Sequence, residues 1–230
     1  KKTFQKYKWP LIDVTRKSVE ETAASIIKYT KYTQTMLNKI ILASKSKVRK
    51  DILDKNNIQS IVEPSNVDED IVKLSLLKEN ASPEIISKNL AELKANKVSA
   101  KKQNKIVLGA DSVIDLNGDL ISKPESREEA MRILRKLNGK SHFLISSVCI
   151  SKNGSMIWNY TDKATLKMKN FSETELAKYL SKISDENLYA YNVYQIEGEG
   201  RNLFSSIDGD EDTIMGLPIK KIKEYLNLQK

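Results

Sequence analysis

The apolar positions of this chain change period along its length, and the changes lay out an order of strands and helices. Lys39-Ile40-Ile41-Leu42-Ala43 is a compact apolar run of buried-strand type, and Ser44–Leu53 continues from it as a helix. Pro83–Lys101 reads as a long helix with Ile86, Leu90, Leu93 and Lys97 on one face, an imperfect stripe that leaves one side wet. Lys105–Ala110 is a second compact strand, extended by Asp111–Asp115 and closed by the hairpin pair Asn117-Gly118. Ser126-x-x-Glu129 caps a helix with Met131, Leu134 and Leu137 inward and Gly139 as its stop. Ser141–Ser151 and Ser155–Lys169 are predicted as long strands joined at Asn153-Gly154, and Ser172-x-x-Glu175 caps a helix through Ile183. A tyrosine-rich strand at Leu188–Ile196, a strand at Asn202–Ile207 and a last helix from Leu217 complete the prediction. Strands alternate with helices early and hairpins dominate later, so the fold class expected is α/β with a mixed sheet.

Residues 1–35 differ in character from the rest. Ser18–Tyr29 is predicted as a helix with Ser18 and Glu21 in capping-box spacing, and polar Lys31–Thr35 as a linker. The expected organisation is therefore an N-terminal appendage over 1–35 and one domain over 36–230.

Composition narrows the class. The 230 residues are 40% hydrophobic and 30% charged, enough for a full core in a water-exposed protein. No stretch approaches the roughly 18 apolar residues of a membrane span. The start lacks the pattern of a secretory leader, and a lone cysteine, Cys149, excludes an internal disulfide. Both lead to the expectation of a cytoplasmic protein, with Cys149 a buried structural thiol. The formal charge is +9, but its 39 basic residues are scattered among 30 acids, which favours a small polyanionic ligand over nucleic acid. One histidine, His142, with no second ligand nearby excludes zinc chemistry and a His-based triad.

Three stretches could carry chemistry. Ser44-Lys45-Ser46-Lys47-Val48-Arg49-Lys50 stands at a strand-to-helix junction, where free N–H groups favour an anion; it is either that or an ordinary serine cap. It is not a P-loop. Asp111, directly after the strand ending Gly109-Ala110, stands where open α/β sheets bind ligands, and Lys123-Pro124 could return a lysine to the same end. Asp68-Glu69-Asp70, with Lys94 on the helix that follows, is either a Mg²⁺-holding carboxylate group or a solvated turn. Asp208–Asp212 fails the calcium-loop pattern and reads as a polar turn. Together these describe an electropositive pocket with a few carboxylates, which suits phosphoanhydride cleavage.

From Met36 to about Leu226 the chain resembles the Maf proteins, nucleotide pyrophosphatases once described as septum-formation inhibitors. The matching blocks run in family order: Leu42-Ala43-Ser44-Lys45-Ser46 through Arg49, Glu63-Pro64 through Glu69, Leu90-Ala91-x-x-Lys94-Ala95, Gly109-Ala110-Asp111 and Lys123-Pro124. Leu137-x-Gly139, Glu197-Gly198-x-Gly200 and Ile214-Met215-Gly216-Leu217-Pro218 complete them. The resemblance implies a twisted mixed sheet flanked by helices, two lobes around a central cleft as in the inosine triphosphate pyrophosphatases, and often a homodimer. It implies hydrolysis of a nucleoside triphosphate to NMP and pyrophosphate. Asp111 would be the acidic catalytic residue, Glu69 would assist it with a divalent cation (Mg²⁺, with Mn²⁺ as a substitute), and Ser44, Ser46 and Arg49 would hold phosphates. Lys94 and Lys123 would neutralise charge.

Val48, Ser112 and Glu197 fall at the family's base-choosing positions. The pyrimidine-preferring branch resembles Arg, Thr and Gln there and the 7-methyl-GTP branch Trp, Gln and Glu. Glu197 leans to the second, since a carboxylate accepts two hydrogen bonds from a guanine edge. The alternatives are a non-catalytic nucleotide- or nucleic-acid-binding regulator of division, and a bifunctional chain. The second arises because Trp9-Pro10-Leu11 through Ala24 resembles the C-terminal tail of the bacterial pyruvate, phosphate dikinase regulatory protein.

Overall fold

The computed structural model describes residue 15, residues 17–27 and residues 39–228. The chain divides into two compact units, 1–39 and 40–230. In the first, residues 19–27 are helical, and the predicted capping box is present: Ser18 N–H donates to Glu21 at 2.9 Å and Glu21 N–H to Ser18 Oγ at 3.2 Å. The Trp9-Pro10 segment, Lys31–Thr35 and Met36 lie outside the described residues.

In the second unit, β1 (Ile40–Leu42) leads through Ser44 into α1 (Lys47–Lys55), followed by β2 (Ser60–Val62), α2 (Glu69–Lys78) and α3 (Pro83–Ser99). β3 (Val107–Leu116) and β4 (Asp119–Ile121) form the Asn117-Gly118 hairpin, α4 (Arg127–Leu137) follows, and β5 (Ser141–Lys152) and β6 (Ser155–Met168) are the long hairpin. α5 (Glu173–Ser181), α6 (Asp185–Tyr191), a 3-10 turn at Glu199–Leu203, β7 (Phe204–Asp208), α7 (Glu211–Ile214) and α8 (Ile219–Leu228) complete it. The sheet has seven strands in the order β2-β1-β3-β5-β6-β7, with β4 against β3. β1 is parallel to β2 and β3 and the remaining pairings are antiparallel, so the expected mixed α/β sheet is present.

Two apolar cores share the long strands. Leu108, Ala110, Val148 and Ile150 pack with β1, α1 and α8, whereas Ile114, Leu116, Leu144, Leu166 and Met168 pack with α4, α5 and the 188–204 segment. Where β3 and β5 cross from one core to the other they carry Asp111, Ser112, Ser146 and Ser147. This polar belt places the site: Asp111 and Ser147 share the sheet face covered by α3, and Ser112 and Ser146 share the opposite face, with Arg49 and Thr213.

Several elements differ from the prediction. Leu188–Ile196 is not a strand: Ser184 Oγ accepts from Asn187 N–H, Asp185 and Glu186 suit a first helical turn, and α6 runs to Tyr191. Asn192 then adopts a left-handed φ of 78° and ends it. Asp68-Glu69-Asp70 is neither a turn nor a closed carboxylate group but the start of α2, with Asp68 Oδ1 accepting from Ile71 N–H at 3.1 Å. The inward row of α3 is Ile86, Ser87, Leu90, Ala91, Lys94, Ala95 and Val98; Leu93 and Lys97 are exposed. β2, a three-residue edge strand, carries no readable period. Among the described residues no helix is long and apolar enough to cross a membrane.

Candidate active site

β3 ends its first core at Ala110, so Asp111 is the next residue, 5% exposed in the polar belt. Its neighbour in space is set by Gly109. A Cβ there would stand 2.3 Å from the Ala91 carbonyl oxygen and 2.7 Å from the Ala95 nitrogen, so only glycine lets α3 lie this close to β3. Ser87 Oγ, two turns before Lys94 on α3, donates to the Asp111 carbonyl at 3.1 Å. The result is that Lys94 Nζ lies 2.8 Å from Asp111 Oδ1 and 2.9 Å from a Glu69 carboxylate oxygen. Lys94 is thus the shared cation of two acids.

Asp111 Oδ2 is buried with no hydrogen-bond partner. Burial raises the Asp111 pKa, opposed by the charge and hydrogen bond of Lys94 and by Arg49, and reinforced by Glu69. Glu69 is also partly buried, but Lys94, Lys73 and Lys123 outweigh that and hold its carboxyl below the ordinary value. The two acids therefore differ, with Asp111 the stronger base.

Arg49 is one turn into α1, whose N-cap Ser46 accepts from Arg49 N–H at 3.3 Å. Its guanidinium spans the belt: Nε donates to Gly216 O at 2.9 Å, Nη1 to Ala110 O at 3.0 Å and Ser44 Oγ at 3.2 Å, and Nη2 to Ser112 Oγ at 3.0 Å. Ser112 Oγ also lies 2.8 Å from Ser146 Oγ, which donates to Thr213 O at 2.7 Å. Gly216 has φ +99°, and a Cβ there would stand 3.1 Å from Ser112 Oγ and 3.2 Å from Arg49 Nε, so the Ile214–Pro218 segment closes against this arginine. Arg49 and Ser112 are mostly engaged within the protein rather than offered to a ligand.

The pocket between the two cores measures about 480 Å³. Ser44, Ser46, Val48, Arg49, Glu69, Lys94, Asp111, Ser112, Lys123 and Glu197 all line it, so every site residue expected from the sequence is brought to one cavity. Glu197 is exposed there, and Val48 half-buried. Lys123 reaches solvent, yet the pocket walls desolvate its ammonium and Arg49 and Lys73 repel it, which lowers its pKa. Sequence reasoning missed Lys73, Asn192, Tyr194 and Gln195, which also line the cavity. Lys73 is legible in principle, four residues after Glu69, but only once Asp68-Glu69-Asp70 is recognised as the start of a helix.

Among the described residues no three acids, histidines or cysteines converge as a ready-made metal cage. The orphaned, buried Asp111 Oδ2 with Glu69 beside it nevertheless fits a hard cation that brings other ligands of its own.

A family model described as Maf-like protein matches residues 39–229. The chain belongs to the Maf-like family. A Nucleoside triphosphate pyrophosphatase of Pelagibacter ubique is 73% identical to this Maf-like chain over 195 residues, covering 85% of it and 100% of the relative. A 7-methyl-GTP pyrophosphatase of Brucella abortus is 34% identical over 195 residues, covering 85% and 98%. A solved Ham1 protein of Staphylococcus aureus superposes with a TM-score of 0.41 and 16% identity, over 84% of this chain and 100% of that one.

Proposed function

We propose that this Maf-like chain is a nucleoside triphosphate pyrophosphatase, cleaving the α–β anhydride to release NMP and pyrophosphate. The observation that carries the reading is Asp111: a carboxylate lining the pocket whose Oδ1 is held by Lys94 while Oδ2 is buried without a hydrogen-bond partner. The Asp111 carboxylate would take the proton of the water that attacks phosphorus, and burial makes it more basic for that task. Lys94 keeps the carboxylate oriented, and Arg49 and Ser112 hold β3 and the Gly216 segment so that the pocket keeps its shape. Ser44, Ser46 and Lys123 face the cavity as phosphate partners. Asp111 and Glu69 would hold a divalent cation, with Mg²⁺ our choice, supplying charge neutralisation at the bridging oxygens when bound.

The guanine-type preference, of the 7-methyl-GTP kind, is supported by Glu197, which lines the pocket as an exposed carboxylate with no partner among the described residues. We also propose a cytoplasmic site of action, fitting the buried Cys149 thiol that burial pushes up to about 11, and a homodimer, supported by the family resemblance. The non-catalytic and bifunctional readings are not favoured.

Pyrophosphate release from a panel of nucleoside triphosphates with Mg²⁺ tests the reading, the intact chain against Asp111→Asn. Turnover to NMP that is lost in the variant supports it; no turnover on any nucleotide sinks it. Good hydrolysis of UTP or dTTP with poor hydrolysis of GTP derivatives would remove the guanine preference alone. We place the catalytic domain at 36–230, and a chain lacking residues 1–35 should keep full activity. Light scattering at several concentrations reads the oligomeric state.

A further inference from the structure

The cations around the pocket are not equivalent. Lys94 is spent between Glu69 and Asp111, at 2.9 and 2.8 Å. Arg49 is spent on Ser44, Ala110, Ser112 and Gly216. A triphosphate brings several negative charges, and the groups still free to meet them are others. Among the described residues, Lys45 and Lys123 line the cavity with no ion pair, and Lys73 has a single one, a 3.7 Å approach to Asp70, whose carboxylate is 88% exposed. An exposed pair at that separation is readily exchanged for a phosphate.

Lys73 is aimed by its helix. It follows Glu69 by four residues on α2, so the two lie one above the other on one face. Glu69 is fixed by Lys94, and Lys73 is thereby turned inward, its side chain 22% exposed. It lines the same cavity as Lys123, on the segment after β4, and its charge opposes ionisation of that lysine. Two ammonium groups held across a cavity repel each other, and an anion placed between them converts that repulsion into binding. The Lys73 charge also acts on Glu69, one turn before it on the same helix face.

Resting on the pyrophosphatase reading, we propose that Lys73 is a substrate-binding residue that clamps the distal, pyrophosphate half of the triphosphate together with Lys123. The clamp ties α2, a helix with no buried residue of its own, to the substrate across the cavity.

The test compares the intact chain with Lys73→Met, Lys73→Arg and a control on the same helix, the exposed Lys78→Met. Inhibition by pyrophosphate and by GMP is measured alongside kcat and KM for GTP, and calorimetry measures binding of inorganic tripolyphosphate without turnover. Lys73→Met should weaken tripolyphosphate and pyrophosphate binding about tenfold and raise KM, as loss of one charge-assisted contact does. It should leave GMP inhibition within about twofold, Lys73→Arg should restore binding, and Lys78→Met should match the intact chain. Unchanged pyrophosphate binding in Lys73→Met overturns the clamp, as does an equal loss of GMP binding. If the intact chain hydrolyses no nucleotide yet binds tripolyphosphate through Lys73, the clamp stands and the enzymatic reading alone falls.

Discussion

Gly109 on β3 faces the Ala91 carbonyl oxygen of α3 so closely that a Cβ at position 109 would lie 2.3 Å from it. The atoms in the way are backbone, so they cannot swing aside as a flexible side chain would. Lys94 is one turn further along the same helix face, and its 2.8 Å contact with Asp111 depends on this approach. Gly109→Ala is therefore expected to push α3 outward, costing about 1–3 kcal/mol as overpacking does. Melting should fall by several degrees, and pyrophosphate release should fall further than the lost stability explains, because Lys94 no longer reaches Asp111. A variant with wild-type melting and wild-type turnover would show that the helix has room to spare.

Glu69 and Asp111 share Lys94, and the negative charge of Glu69 is one reason the Asp111 carboxyl titrates above its ordinary range, after burial. The ionised form of Asp111 is the base, so activity should rise with pH through its pKa. Glu69→Gln removes a like charge and leaves Lys94 to Asp111 alone; both changes favour ionisation. The acidic limb of kcat/KM should move to lower pH in Glu69→Gln, whatever happens to the maximal rate. A limb that stays fixed or moves up would mean that a group other than Asp111 is the base.

The strands and capped helices were readable because each rests on a local rule. Ser126, Ser172 and Ser18 cap where spacing predicted, and both Asn-Gly pairs turn the chain with left-handed asparagines. The motif residues also converged as the resemblance implied, all ten at one cavity. What was not legible is how those residues divide their labour. Whether Arg49 meets phosphate or protein depends on the Ala110 and Gly216 carbonyls, whose directions come from tertiary packing and leave no trace in residue type. The same holds for 188–196, where apolar and aromatic residues suited a strand but no neighbour was there to pair, and the Ser184 cap won.

Arg49 holds Gly216, Ala110, Ser44 and Ser112 at once, and a lysine cannot reproduce that fork. Arg49→Lys should lose about 2–4 kcal/mol of stability, since hydrogen bonds to a charged group are worth about 1.5–3 kcal/mol each and several acceptors are left unpaired. Ser112→Ala should cost about 1 kcal/mol. Urea unfolding measures both. An Arg49→Lys protein that keeps its stability but loses turnover would return the arginine to a direct phosphate role.

His142 is 2% exposed, its Nε2 2.8 Å from the Tyr194 hydroxyl and its Nδ1 without a partner. Desolvation lowers its pKa from 6.5 to about 4. Between those two values the unfolded chain binds a proton that the folded chain refuses. Stability contributed by the neutral ring is therefore fully present above about pH 6.5 and is lost as pH falls toward 4. The shift corresponds to about 3 kcal/mol, an order-of-magnitude figure. Tyr194 lines the pocket, so the acid-sensitive ring also supports the cavity wall. His142→Gln offers Tyr194 a partner but does not titrate in this range. Unfolding free energies measured at pH 7 and pH 4.5 should differ by less in His142→Gln than in the intact chain. Equal differences in the two proteins would assign the acid sensitivity to the carboxylates instead.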